Sequence, residues 1–316
     1  MRTRRIFFVF KVAIALGVMV ILVKTVNFQG IYTAFRNPEE PVFIYLAILL
    51  LIPNLFIQWY RWRYLLRFIQ PDVGILESVS SLFGGMLMGF VTPGRIGEMG
   101  RSLFLRRIDR LQALGLVFVD KFYSFVTIVV GGVWGIVLLV IHLIHRSAFI
   151  VWPLSAVALM ITASGFVLLL HPQWIRGFLY NLTLILPYRD KLRHAIQCMD
   201  RFDGDGARIF VFLSFSLYFI FILQFCLLAL AFERISLLSA FSATASTFFA
   251  KSLLPISLAD LGIREGASIY FFMKFQVENV TAFNSALLLF TINVLLPTLC
   301  GVFFLPRLGW KEKQIP

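Results

Sequence analysis

Gly89–Phe104 reads GFVTPGRIGEMGRSLF. An apolar and small-residue lead runs into it. One proline, three glycines, two arginines and a glutamate then crowd between Pro93 and Arg101. Proline removes a backbone donor and glycine permits backbone shapes that other residues resist, so TPGRIG does not continue a straight helix. Pro93, Gly94 and Gly97 mark the break. Irregular backbone at membrane depth survives only inside protein or beside water. The freed N–H groups at the start of a following half-helix favour anions. Arg95 precedes that start, and Glu98 lies three residues on, where helical geometry lets the two share a face.

Outward from this stretch the chain is apolar. It has 316 residues, 59% hydrophobic and only 14% charged, against about a quarter charged in soluble domains. Several apolar runs reach about 20 residues, the length that crosses a bilayer. The expected fold is all-α: a polytopic membrane protein with about six full spans plus two broken helix pairs, each either re-entrant on one side or crossing twice. The spans are roughly 6–26, 42–66, 112–141, 149–170, 209–232 and 280–305. The broken regions are about 76–107 and 236–275. The N-terminal MRTRR and its apolar run are read as a retained first helix, because the run is long for a signal sequence and lacks a small-residue cleavage site. The polar region 171–208 opens on QWIRGFLYNLTLILPY, expected to lie along the membrane interface. Residues 1–316 form a single membrane domain.

The net charge is +13, and the basic residues sit between apolar runs. They therefore set topology and meet anionic headgroups, and no nucleic-acid partner is expected. With the N-terminus inside, twenty of the 29 Lys and Arg residues fall in cytoplasmic segments and five outside. Both termini are thus expected in the cytoplasm. Cys198, Cys226 and Cys300 are dispersed, which fits neither a disulfide framework nor a zinc site.

Lys251–Phe272, KSLLPISLADLGIREGASIYFF, repeats the opening pattern. Pro255 and Gly262 break it, and Arg264 and Glu265 follow. Glu98 and Glu265 lie 167 residues apart, and Gln58 and Gln224 lie 166 apart. The halves, about 42–141 and 209–305, share one order: span, broken pair, span. The first break opens to the cytoplasm and the second to the outside, so the halves form an inverted-topology repeat. Such repeats build secondary transporters, with sites where broken helices meet. Re-entrant pairs would make two half-cavities, one open to each side.

A mid-membrane ion costs about 2.5–3.5 kcal/mol. Arg95, Glu98, Arg264 and Glu265 must therefore pair, line a hydrated cavity or lie shallow. Asp120 and Lys121 interrupt the 112–141 span. Neighbours on a helix do not face each other, so each needs its own partner. The candidate substrate-binding residues are Arg95, Glu98, Arg101, Asp120, Lys121, Lys251, Arg264 and Glu265. Arg95, Lys251 and Arg264 would hold phosphate; Glu98, Glu265 and Asp120 would pair with them or meet a cationic or hydroxylated group. Lys251 could instead pair structurally with Asp260 or Glu265.

VTPGRIGEMGR and LLPISLADLGIREGA, with RWRYLL after the second span and VDKFYSF in the third, resemble the lysylphosphatidylglycerol synthase transmembrane region family. The resemblance covers most of the chain. It implies an integral inner-membrane protein that moves a lipid, such as an aminoacylated phospholipid or a glycolipid carrier, between leaflets. Bifunctional members continue into a soluble aminoacyl-transferase domain. This sequence ends at Pro316 after a short basic tail, so neither lysine transfer nor a tRNA partner is expected. A glycine is expected where Ala259 or Asp260 stands, and Asp260 is expected to alter headgroup preference.

Weaker signals are read conservatively. His142 and His145 share a helix face at a membrane edge, and no metal or other cofactor is expected. DRFDGDG, Asp200–Gly206, lacks a complete calcium loop, and Asp205 fits a turn or helix cap. No P-loop or catalytic triad is present. The leading reading is a flippase-like lipid transporter, not an enzyme, with membrane lipids as partners and a homo-oligomer left open. Two alternatives stand beside it. One is a lipid-modifying enzyme such as a lipid-phosphate glycosyltransferase, using Asp72 or Asp203. The other is a transporter of a small anion.

Overall fold

The computed structural model describes residues 38–92, 94–144, 148–182, 189–200, 202–254 and 260–308, together with 29, 32, 33 and 36. The expected 6–26 span, Pro93, Pro255 and His145 lie outside them. The described residues form helices and no strands.

Helices α1 (Pro41–Leu49) and α2 (Leu51–Ile69) make one 29-residue apolar rod. Its interruption at Leu50 lies just before Pro53, which cannot donate to the carbonyl of Leu49. Helix α3 (Ile75–Phe90) follows, then the turn with Gly94, then a 3₁₀ segment (Ile96–Phe104). Asp109 accepts from the N–H groups of Leu111 and Gln112 and so starts α4 (Arg110–Leu143), as side-chain caps do. Helix α5 (Ala148–Leu170) returns. Short helices α6 (Pro172–Leu182) and α7 (Arg189–Ile196) fill the polar connection.

Five further α-helices follow among the described residues. Helix α8 (Gly204–Leu230) is capped by Asp203, whose carboxylate accepts from Gly206 N–H at 2.8 Å. The cap is therefore Asp203 and not Asp205, which sits in the first turn and pairs with Arg208. Helix α9 (Leu237–Leu253), α10 (Ile263–Met273) and α11 (Asn279–Phe290) follow. A π turn (Thr291–Leu295) joins α11 to α12 (Leu296–Val302). Pro297 cannot donate to the carbonyl of Asn293, and the wider turn precedes it.

Five stretches are long and apolar enough to cross a bilayer: Pro41–Ile69, Arg110–Leu143, Phe149–Leu170, Gly204–Leu230 and Asn279–Val302. Large apolar side chains point outward from them, with Phe149 at 89% and Trp152 at 75% exposure. In water such a surface would be an adhesive patch; in a bilayer it faces lipid. At 16 residues, α3 is only about 24 Å long, short of the ~30 Å hydrocarbon core.

Packing is crosswise. Helix α3 lies against its own 3₁₀ segment and against α12, while α9 lies against its own α10 and against α4. Helix α3 thus binds a helix late in the chain, and α9 binds one early in it. One apolar core gathers Trp62, Leu66, Tyr123 and Phe210. A second gathers Ile44, Phe225, Phe272 and Leu288. Leu87 and Phe90 bridge to Phe290 and Val294.

Candidate functional site

The first break is set by local geometry. Gly94 (φ 59°) and Arg95 (φ 58°) are both left-handed, a conformation that disfavours a side chain by about 1–2 kcal/mol. This turn points the 3₁₀ segment back along α3. Gly97 meets α3 so closely that a Cβ would overlap the Met88 carbonyl, and a Cβ on Gly85 would overlap Arg101. Gly97 N–H donates to Thr92 Oγ1 at 2.6 Å. Close apposition buries the charged face of the 3₁₀ segment.

That face belongs to a continuous ion network. Arg61 reaches Asp120 at 2.9 Å, and Arg101 reaches the other Asp120 oxygen at 3.0 Å. Arg101 also reaches Glu98 at 2.9 Å. Lys121 pairs with Glu98 as well. Arg95 Nε stands 2.8 Å from Glu98 Oε1, an ion contact without hydrogen-bond alignment. Arg61 donates further to the Asp120 carbonyl and Ser124 Oγ, and its guanidinium lies over the Phe210 ring. Asp120 and Lys121 thus find separate partners. Arg61, Glu98 and Arg101 are nearly inaccessible, whereas the Lys121 side chain is 46% exposed and that of Arg95 25%. Within this network these two are the cations whose side chains remain partly open.

The second break holds a smaller cluster. Lys251, in the last turn of α9, pairs with Asp260 at 2.8 Å across the break. Asp260 is left-handed, with φ 63°. Arg264 is buried over Phe290, and its Nη2 has no partner. Glu265 Oε2 accepts from Gly262 N–H at 2.6 Å, and Oε1 lies 3.3 Å from Arg264 Nε. As the third residue of α10 it reaches back to satisfy the free N–H at the helix start.

Both breaks line one cavity of about 430 Å³, instead of forming two separate half-cavities, because the crosswise packing brings them together. Its wall carries six cationic side chains, Arg61, Arg95, Arg101, Lys121, Lys251 and Arg264, and three carboxylates, Glu98, Asp120 and Asp260. Phe125, Ile128, Phe221 and Phe248 supply apolar wall. Seven of the eight candidate residues line it; Glu265 does not, being turned to its own helix start. Gly94 lines the cavity, while Gly97 and Gly262 do not.

Two features escaped the sequence. Arg61, in RWRYLL at the cytoplasmic end of its span by the Lys and Arg distribution, is instead buried in the ion network. The signal was its place in RWR, one helical turn after Gln58. A buried amide cluster was also missed. Asn54 donates to Gln224 at 2.9 Å and to Asn293 at 3.2 Å, and Asn293 donates to Gln224 at 3.0 Å. Gln58 donates to Asn54 at 2.6 Å, and Gln224 to the Ala47 carbonyl at 2.9 Å. The glutamines matched between the halves are therefore joined through Asn54. Asp72 is exposed, Asp203 caps α8, and neither lines the cavity. His142 packs against the Phe275 ring at a tilt of 38°, centroids 4.7 Å apart, and no metal-binding cluster exists among the described residues.

No curated protein and no solved structure matches the chain. The family described as lysylphosphatidylglycerol synthase TM region matches residues 8–301. The match spans both breaks and, but for the final Val302, the five spans. The chain is an integral membrane protein of the lysylphosphatidylglycerol synthase transmembrane region family.

Proposed function

We propose that this protein moves a phosphate-bearing lipid headgroup between membrane leaflets and catalyses no covalent step. The observation that carries the proposal is the excess of six cations over three carboxylates in a cavity walled by membrane helices. Unpaired charge there is costly, and an anionic headgroup offsets it. The cavity's aromatic and aliphatic wall suits the adjoining hydrophobic part of a lipid. Family membership supports the same reading.

The mechanism rests on an inverted repeat of the two halves, with α3 and α9 entering as re-entrant helices. Reciprocal packing of α3 on α12 and α9 on α4 supports that symmetry. Rocking one half against the other around the cavity would expose it alternately to each side. The lysine and arginine distribution supports cytoplasmic termini in the inner membrane. Arg95, Lys121, Lys251 and Arg264 contact the headgroup, and Glu98 and Asp120 hold the cations in place.

Leaflet exchange of labelled lipids in liposomes tests this. Wild type is expected to exchange anionic lipid, and Lys121→Gln and Arg264→Gln to slow it about tenfold or more without loss of folded protein. Undiminished exchange in both variants would reject the site. A chemically altered lipid in the same assay would favour the enzyme, and uptake of phosphate without lipid exchange would favour the small-anion transporter.

A further inference from the structure

We propose that Asp260 is a built-in place-holder for the substrate's phosphate: its carboxylate sits on Lys251 where a phosphate oxygen sits when a headgroup is bound. The proposal rests on the reading of the cavity as a headgroup site. It makes Asp260 the residue that sets how much negative charge the site accepts.

Four observations lead to it. Asp260 takes a left-handed backbone, φ 63°, that favours glycine, so its side chain is retained at a conformational cost. Asparagine and aspartate are the non-glycine residues that bear this cost best, yet asparagine would tolerate the turn without a charge. Its carboxylate is 2.8 Å from Lys251 Nζ, and both residues line the cavity. Donor capacity around it exceeds what one carboxylate uses. An ammonium has three donors and a guanidinium five, and Arg264 Nη2 is buried with no partner. Arg95, from the opposite break, lies close enough to act on the charge of both Asp260 and Lys251.

A phosphate group offers more acceptor oxygens than a carboxylate. It can take the Lys251 contact and also satisfy Arg264. Displacing Asp260 moves a side chain anchored in the turn that starts α10, since Arg264 N–H donates to the Asp260 carbonyl at 3.3 Å. Occupancy of the cavity is thereby linked to the second break. A headgroup carrying a cation beside its phosphate can keep Asp260 as a partner; a more anionic one must expel it. With Asp260 present, the site favours headgroups of low net negative charge.

Calorimetric titration of the purified full chain tests the idea, with inorganic phosphate, with phosphatidic acid vesicles and with phosphatidylcholine vesicles. Asp260→Asn and Asp260→Gly both remove the carboxylate, and glycine also relieves the backbone. Each is expected to bind phosphate and phosphatidic acid about tenfold tighter, with a smaller change for phosphatidylcholine. Lys251→Gln is expected to weaken binding, and Asp260→Asn/Lys251→Gln to show no gain over Lys251→Gln alone. Equal affinity of wild type and both Asp260 variants would overturn the place-holder, as would a gain that persists without Lys251. Wild type binding phosphate but neither lipid would keep the place-holder and overturn the lipid reading. Absence of binding in every variant would overturn both.

Discussion

Asp120 joins two buried guanidinium groups, and its partners cannot turn to water if it is lost. Asp120→Asn removes the carboxylate charge opposite Arg61 and one of the two opposite Arg101. Breaking a buried pair from one side costs about 3–5 kcal/mol. The expected result is a clear drop in thermal unfolding temperature in detergent, together with lost lipid exchange. Lys121 differs because its side chain is 46% exposed. Its buried partner Glu98 keeps Arg95 and Arg101, so Lys121→Gln leaves no buried charge unpaired and is expected to lower the melting temperature less than Asp120→Asn while exchange slows. Equal melting losses in the two variants would contradict the proposed division, in which Asp120 organises the cavity and Lys121 meets the headgroup.

Between α3 and the 3₁₀ segment, small residues set the distance. A Cβ at Gly97 would overlap a backbone carbonyl, which cannot swing aside as a side-chain end can. Overpacking typically costs about 1–3 kcal/mol, so Gly97→Ala is expected to lower stability by that amount and shift Arg101 and Glu98 off their partners. Gly266→Ala, on α10 with open space around it, serves as the control and is expected to be neutral. Differential scanning fluorimetry of both variants checks the pair. Proline and glycine announced these breaks in the sequence because their effect on the backbone is local. How closely the broken pieces pack was not legible, since that depends on Met88, Phe104 and Arg101 meeting across the turn.

Across the whole molecule, the amide cluster of Asn54, Gln224 and Asn293 lies between the two halves of the proposed repeat. Leaving one buried amide unsatisfied costs about 1–3 kcal/mol. Asn293→Leu is expected to destabilise by that amount and to change the exchange rate without changing headgroup preference. Thermal melts and competition between lipids separate the two effects. Topology is checked by single cysteines at positions 94 and 262 in a background without the three native cysteines. Because Gly94 lines the shared cavity and Gly262 does not, alternating access predicts labelling of position 94 from either side of the membrane, with position 262 as the reference outside the cavity. Labelling of position 94 from one side only would reject alternating access.

The membrane class, five of the expected spans and the two breaks were readable along the chain because hydropathy, proline and glycine act on their own stretch of backbone. The eight candidate residues were readable as ionisable groups where ions are costly, and seven of them share the cavity wall. Their partners were not readable. Arg61 meets Asp120 59 residues away, and Asn54 meets Asn293 239 residues away. Pairing at that separation follows from how the helices cross. Glu265 shows the same limit from the other side: its match to Glu98 suggested a shared role, but its position on α10 turns the carboxylate to Gly262 N–H. Local chemistry therefore specified which groups enter the membrane, and helix crossing decided which of them face one another.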